Sequence, residues 1–488
     1  MAGKRSRRGC EECRRRRRKC DEQQPFCMAC TSRGCNCIYT LKLVWGGLEL
    51  DKSRNTDEGG FVFSTTPSDG SEALELGSKL PRSLPNGISL PPRYYKLLVY
   101  FADDILASLS CHPSIHQDLC KGLMPATLEF PHLLSACLAL STAGFASRGI
   151  ANVDGIDAFR LLDHLQSSGL SLLRSALEVG QPSEVLLTTC LMWSLVDVFS
   201  CRSEASSWRV HLQGVKAIID NKQGYNRVLA DSGAMHAAIK HLHMLYVSLQ
   251  TLPYIFSPKE QDRPQVATVH PTTKLQARNS VISNYSIDGF LGYSEELLHI
   301  LHQINKLADE RSDILPTSDA ESDILLGKVM GMIARDAANP PNVDICSVLS
   351  ADYGREFILC HRIFQQTALI VLYRRLYEMP SQMLPIQNAV AAITEMLDNM
   401  PQGQPCHTWV AMALPVFTIG CEAFTPEQKN FVLDKVQRLK ECLGSFHVGI
   451  IRQALKDVWE KRSVLGDMEG HLCAGSLLGE LKYNIILF

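Results

Sequence analysis

Six cysteines in the first forty residues, Cys10, Cys13, Cys20, Cys27, Cys30 and Cys37, follow the spacing C-x2-C-x6-C-x6-C-x2-C-x6-C, and an unbroken basic run at 14–19 fills the first six-residue gap. Thiolates so spaced are ligands for a borderline-soft divalent ion. A tetrahedral zinc takes four ligands, so two separate four-cysteine sites would need eight, whereas two bridging thiolates lower the demand to six. Two zinc ions sharing six thiolates are the simplest physical account of the pattern. The first C-x-x-C pair falls at i and i+3 on a helical turn, where both sulfurs face the same way. Cys35 offers a competing sixth ligand, with a gap of four residues in place of six. A disulfide framework would need an oxidising compartment, yet residues 1–8 are basic and no apolar segment of secretory type follows.

The charge distribution indicates what such a module touches. Residues 1–40 hold eleven Lys or Arg against four Asp or Glu, a net of +7, while the whole chain is −2 and residues 41–488 carry −9. The positive charge is therefore local. A patch of this density gains free energy by releasing counterions from a polyphosphate, and duplex DNA is the polyanion this geometry suits. A zinc module that served only protein contacts has no need of six consecutive cations. The blocks KRSRR at 4–8 and RRRRRK at 14–19 also fit a nuclear import signal, so the nucleus is the expected location. Arg presents a planar fork able to grip guanine O6 and N7, whereas any cation can neutralise a phosphate.

The stretch 8–39, RGCEECRRRRRKCDEQQPFCMACTSRGCNCIY, resembles the fungal binuclear zinc cluster DNA-binding domain, including CD after the basic run, Pro25 before the fourth cysteine and RG near the last. The resemblance implies a ligand scheme. Cys10 and Cys27 would bridge, Cys13 and Cys20 would complete one zinc, and Cys30 and Cys37 the other, with Cys37 preferred to Cys35 because a gap of six fits the family pattern. In that family the side chain three residues before the third cysteine, typically Lys, reads a CGG triplet; here it is Arg17, which keeps the charge and adds a donor. Arg16 is the next candidate for a base edge. Arg14, Arg15, Arg18, Lys19 and Arg33 are expected on phosphates, which fix register without carrying sequence information.

These residues need elements to hold and use them, and the chain divides into three parts: a zinc module at 1–41, a linker at 42–92 and a helical domain at 93–488. The linker holds seven Gly, five Pro and seven Ser, with TTPSDGS and LPNGISLPP as loop signals, and reads as disordered. It shows no run of apolar a and d positions, so a coiled coil pairing two subunits there is not expected. Beyond it, apolar residues recur at helical spacing, as at Tyr95, Leu98, Val99, Ala102 and Ile105, and at Phe159, Leu162, Leu165, Leu172 and Leu173. Alternating strand patterns are nearly absent. The expected fold is thus a small zinc-stabilised module joined by a disordered linker to a large all-α domain, with variable loops near 257–286 and 338–344. The most apolar stretch, 185–199, reads as too short to span a bilayer and contains Asp197, so no membrane association is expected.

This portion resembles the helical fungal-specific transcription factor domain, through SWRVHLQG at 207–214, WVAMALPVFTIGCEA at 409–423 and VWEKR at 458–462. The resemblance implies a regulatory domain that senses a metabolite, binds coregulators or dimerises. Other constellations read as packing. Cys111, His112, His116 and Cys120 have metal-like spacing, but Pro113 is expected to disturb the local helix. His236, His241 and His243 read as ordinary core or surface histidines, and Trp208, His211 and Gly214 as helix contacts. The eleven cysteines beyond Cys37 read as reduced buried thiols. No phosphate loop, nucleophile elbow or paired catalytic carboxylates stand out, so an enzyme is not expected. The reading is a nuclear, sequence-specific regulator of RNA polymerase II promoters that carries two zinc ions and binds double-stranded DNA and coregulators, with the helical domain as the route to a homodimer. The rival is a helical ligand-binding or catalytic protein whose zinc module only localises it.

Overall fold

Two segments, 131–147 and 183–200, are apolar on every side when wound as helices, and a helix of that kind must be buried on every side. The computed structural model describes residues 12, 13, 16, 20, 21, 27–33, 90–200, 207–220, 234–256, 285–311, 319–345, 347–402, 404–481, 483 and 485–487. It forms two units, Met1–Val99 and Tyr100–Phe488. In the second, both segments are helices, Pro131–Ser147 and Ser183–Ser200, and they pack on one another. All residues from Val185 to Ser200 are buried, against helices Ala158–Val179, Ser207–Asp220, Ala234–Thr251 and His447–Leu465 as well.

Polar side chains survive inside these helices because they bond locally or to a neighbouring backbone. Thr142, Thr188, Thr189 and Ser194 donate to carbonyls four residues back, and Ser135 donates to Leu165 O at 2.9 Å. Asp197 faces His211 Nε2 at 3.6 Å, which accounts for a carboxylate in the most apolar helix. Gly169 marks the closest approach: a Cβ there would lie 2.5 Å from both Ser135 Oγ and Trp193 Cζ2, so any larger residue would force these helices apart.

The second half of the domain is organised on Ala351–Arg375, which contacts Glu295–Arg311, Asp319–Ala338, Leu384–Asp398 and Ala413–Cys421. Its start is capped by Ser350, and its last turn carries Arg374 and Arg375 where the helix dipole favours cations. Helix Pro426–Leu443 opens with a complete capping box between Thr425 and Gln428. The family-like motifs meet here. Trp459 Nε1 donates to Gly420 O at 2.8 Å, and the buried Arg462 guanidinium donates to the carbonyls of Cys421 and Leu472. Arg374 donates to the same Leu472 carbonyl at 2.9 Å and pairs with the buried Glu422 at 3.3 Å.

Several expectations are refined. Helix Pro92–Tyr100 begins one residue before the expected boundary, with a buried stripe at Tyr94, Leu97 and Leu98 while Tyr95 and Val99 are half-buried. A π-turn, Phe101–Ile105, follows and buries Phe101, Ala102 and Ile105. In Ala158–Val179 the buried face runs through Leu161, Leu162, Leu165, Gly169 and Leu173, leaving Phe159 36% exposed. The helix containing 185–199 extends to 18 residues and is long and apolar enough to cross a membrane; its burial inside the bundle, not shortness, gives it a core role. Pro113 sits in the first turn of Pro113–Glu129 and starts that helix rather than disturbing it. Four two-residue strands are described. Asn152–Val153 and Ile156–Asp157 form a hairpin across Asp154-Gly155, both at positive φ, a turn signal that the sequence reading overlooked. Ile287–Asp288 pairs in parallel with Val343–Asp344, within one of the expected loops. Residues 42–89 and 257–284 lie outside the described residues.

The C-terminal tail YNIILF, whose role the sequence leaves open, packs on the domain. Ile485, Ile486 and Leu487 are buried, and Ile486 N donates to His447 Nε2 at 2.8 Å. His447 is buried in its neutral form, with burial holding its pKa down at about 4. An unfolded histidine titrates near 6.5, so this contribution to stability is complete above about pH 6.5 and is lost as pH falls from there toward 4. Urea unfolding of residues 90–488 should therefore show His447 costing on the order of 1–2 kcal/mol between pH 6.5 and 5. His447→Gln should flatten that part of the pH dependence.

Candidate metal centre and nucleic-acid interface

The small module has sulfur where a larger domain has hydrocarbon. Cys13, Cys20, Cys27 and Cys30 are its buried cluster, joined only by the partly buried Ala29 among the described hydrophobics. Glu12 and Cys13 lie on a helical turn, and Arg16 N donates to Glu12 O at 3.0 Å. Cys27 caps the short helix Met28–Thr31, and its Sγ accepts the Cys30 N–H at 3.3 Å. Such N–H···S bonds stabilise a thiolate and orient it as a ligand. Asp21, the residue after Cys20, accepts the Met28 N–H at 2.9 Å and so ties the segment carrying Cys20 to the helix carrying Cys27. That contact gives the CD pair a structural reason.

The Sγ atoms of Cys13, Cys20 and Cys27 all lie within 4.8 Å of one another. Cys13 and Cys27 are 3.7 Å apart. A tetrahedral zinc with Zn–S bonds of about 2.3 Å places its sulfurs about 3.8 Å from each other, whereas a disulfide would need about 2.05 Å. The donors thus fit zinc: soft, buried, mutually spaced as a coordination edge and held by backbone hydrogen bonds. Among the described residues this is the one group of three or more Cys, His, Asp or Glu donors close enough to hold a metal.

Of the residues expected to meet DNA, Arg16 and Arg33 are described and both are exposed. The Arg16 guanidinium pairs with Glu12 at 2.5 Å, one helical turn away, an exposed pair of the kind worth little and readily exchanged for a phosphate. Cys10, Cys35, Cys37, Arg14, Arg15, Arg17, Arg18 and Lys19 lie outside the described residues.

The other constellations take structural roles. Cys111 Sγ donates to Phe290 O at 3.0 Å, and His112 Nδ1 accepts the Ser114 N–H at 3.1 Å, capping its helix. His116 Nε2 lies 2.7 Å from Ala102 O and 3.4 Å from Cys120 Sγ. His241 stacks on Phe290 and faces Asp118 at 3.5 Å, and burial lowers the pKa of both His241 and His243. Trp208 is buried, and a Cβ at Gly214 would meet Cys190 Sγ at 3.5 Å, as in ordinary helix packing. The nine described cysteines beyond Cys37 are all free; burial pushes Cys137 and Cys190 up to about 12.

Since the module's core is its thiolates, removing the metal should unfold it. Native mass spectrometry of residues 1–60 is expected to show two zinc ions, reduced by Cys37→Ser and retained in Cys35→Ser. A stoichiometry of one, or dependence on Cys35, would overturn the ligand scheme.

Comparison with known proteins agrees with this geometry. Residues 8–45 match the fungal Zn(2)-Cys(6) binuclear cluster domain, which binds two zinc ions, and residues 96–472 match the fungal specific transcription factor domain. The chain is similar to the thiamine biosynthesis regulatory protein of Saccharomyces cerevisiae, 26% identical over 24% of this chain and 23% of that protein. It is also similar to the transcriptional regulatory protein pro1 of Neurospora crassa, 32% identical over 18% of this chain and 12% of that protein. The matched segments therefore span about a quarter or less of these relatives. No solved structure matches. With a match to the zinc cluster domain at one end and three quarters of its length in the helical match, the chain belongs to the fungal specific transcription factor domain family.

Proposed function

We propose that this regulator acts in the nucleus at RNA polymerase II promoters, where its zinc module binds duplex DNA and reads a CGG-type triplet. The observation that carries this reading is the placement of the basic run. Its flanking cysteines, Cys13 and Cys20, have sulfurs within 4.8 Å of one another, so both ends of the run of six cations are held at the candidate metal site. Holding both ends of such a run lowers the entropy it must lose on binding. Zinc in this setting is structural: it folds the loop and carries out no reaction.

The ligand scheme that goes with this reading has Cys10 and Cys27 bridging, Cys13 and Cys20 on one zinc, and Cys30 and Cys37 on the other. Arg17 is the proposed base reader and Arg16 the second; Arg14, Arg15, Arg18, Lys19 and Arg33 hold phosphates. The proposed division is a zinc module at 1–41, a linker at 42–92 and a regulatory domain at 93–488, the last contacting coregulators. The families and relatives matched are transcription regulators, which favours regulation over catalysis.

Arg17→Ala should weaken binding to a CGG-containing duplex by about 1–3 kcal/mol and relax preference at that triplet, because a bidentate guanine contact is lost. Arg15→Ala should weaken all sequences alike and flatten the salt dependence by about one unit of slope. Equal effects of both substitutions on specific and random DNA would remove Arg17 from the reader's role.

A single module buries only about 600–1,000 Å² on DNA, so selectivity calls for a second module or a partner. With no heptad pattern in the linker, we favour dimerisation through the helical domain. Sedimentation at micromolar concentration should give a monomer for residues 1–92 and a dimer for the full chain. A dimeric fragment would place the pairing element in 42–92 instead.

A further inference from the structure

Three helices of the second unit line a crevice of about 370 Å³. Asp319–Ala338 contributes Ile333; Ala351–Arg375 contributes Leu359 and Arg362, which share a face because they lie one turn apart; Leu384–Asp398 contributes Glu395 and Met396. Ile333, Leu359 and Met396 are half-buried and give the crevice an apolar lining. Gln365 is its buried polar member. It is 2% exposed, and its Nε2 donates to the buried Asp336 Oδ2 at 2.8 Å, which fixes the amide and leaves its carbonyl oxygen as an acceptor.

Two exposed charges of opposite sign share this lining. Arg362 and Glu395 stand on neighbouring helices, and neither side chain has an ion-pair or hydrogen-bond partner among the described residues, the other included. Nearby charges do pair: Arg335 with Glu296 and Asp336, and Asp398 with Lys435. An exposed charge is commonly left to water, so either one alone would signify nothing. Their place in one apolar crevice is what carries weight, because low-dielectric walls concentrate the field of both. A simple anion there is drawn to Arg362 and repelled by Glu395, and a simple cation meets the reverse. A molecule carrying both charges satisfies both.

We propose that this crevice binds a free α-amino acid with an apolar side chain. Its carboxylate takes the Arg362 guanidinium, whose planar fork matches a carboxylate. Its ammonium takes Glu395, with the Gln365 carbonyl as a further acceptor, and its side chain lies on Ile333, Leu359 and Met396. A residue inside a peptide has neither charge and is excluded. An engineered cavity of about 150 Å³ accepts benzene, so a crevice of this volume suits up to roughly fifteen non-hydrogen atoms, which covers the apolar amino acids. Binding here is separate from DNA reading by the zinc module, and its test involves no DNA.

The test is methyl NMR of the full zinc-loaded chain titrated with L-leucine to about 10 mM. Isocaproate, which lacks the ammonium, and isoamylamine, which lacks the carboxylate, are titrated beside it. Saturable shifts are expected at Ile333, Leu359 and Met396 with L-leucine, and each analogue should bind about tenfold more weakly. Arg362→Gln should weaken L-leucine about tenfold without weakening isoamylamine, and Glu395→Gln should weaken it about tenfold without weakening isocaproate. Unchanged shifts elsewhere show that these exposed substitutions leave the fold intact. Absence of saturable L-leucine shifts, either analogue binding as tightly as L-leucine, or unchanged L-leucine affinity in either variant would each overturn the proposal.

Discussion

The helical domain depends on burying Ser183–Ser200 on all sides. Sixteen consecutive residues of that helix are removed from water, and only a surround of several helices can do this. Each fully buried Val, Leu or Phe there contributes about 1.5–3 kcal/mol, more than any surface ion pair in the chain. The neighbouring helices are amphipathic because they wrap this centre: Ala158–Val179 turns Leu161, Leu165 and Leu173 inward and leaves Glu178 and Arg174 outside. Asp197 is tolerated in the centre because His211 reaches it from the adjoining helix.

The N-terminal module reverses this logic. It is too short to bury an apolar core, and its described interior is four cysteines and little else. Metal coordination takes the place of hydrophobic burial, so the fold of the module rests on its thiolates. Asp21 illustrates the economy. One carboxylate, placed beside a ligand, bonds the first amide of the helix that follows the next ligand.

Buried charge in the helical domain serves a different purpose. Arg374 and Arg462 both reach the Leu472 carbonyl, with Glu422 and Asp467 as counterions, and so join helices Ala351–Arg375 and His447–Leu465 to the residue where the family match ends. Removing one member of such a set typically costs about 3–5 kcal/mol because its partner is left charged in the interior. Glu422 lies in WVAMALPVFTIGCEA and Arg462 ends VWEKR, two motifs that carry the resemblance. The two motifs meet where Trp459 and Arg462 donate to the carbonyls of Gly420 and Cys421.

The chemistry of the module and the class of the fold are legible in the residues alone. Six cysteines at fixed spacing admit few ligand arrangements, a run of six cations has few partners, and a 3.6-residue apolar period specifies helices whatever they pack against. Tertiary structure decided what depends on contacts between distant residues. Periodicity placed Phe159 on the buried face, but packing against Pro131–Ser147 turned that face toward Leu161. Composition could not distinguish a membrane-length helix from a core helix at 183–200, because both satisfy the same hydropathy and only the surround differs. Cys111 and His112, adjacent in the chain, were drawn to separate backbone partners. Arg374 and Glu422, buried and distant in the chain, were paired only by the fold, since satisfaction of a polar group is a property of its neighbours in space.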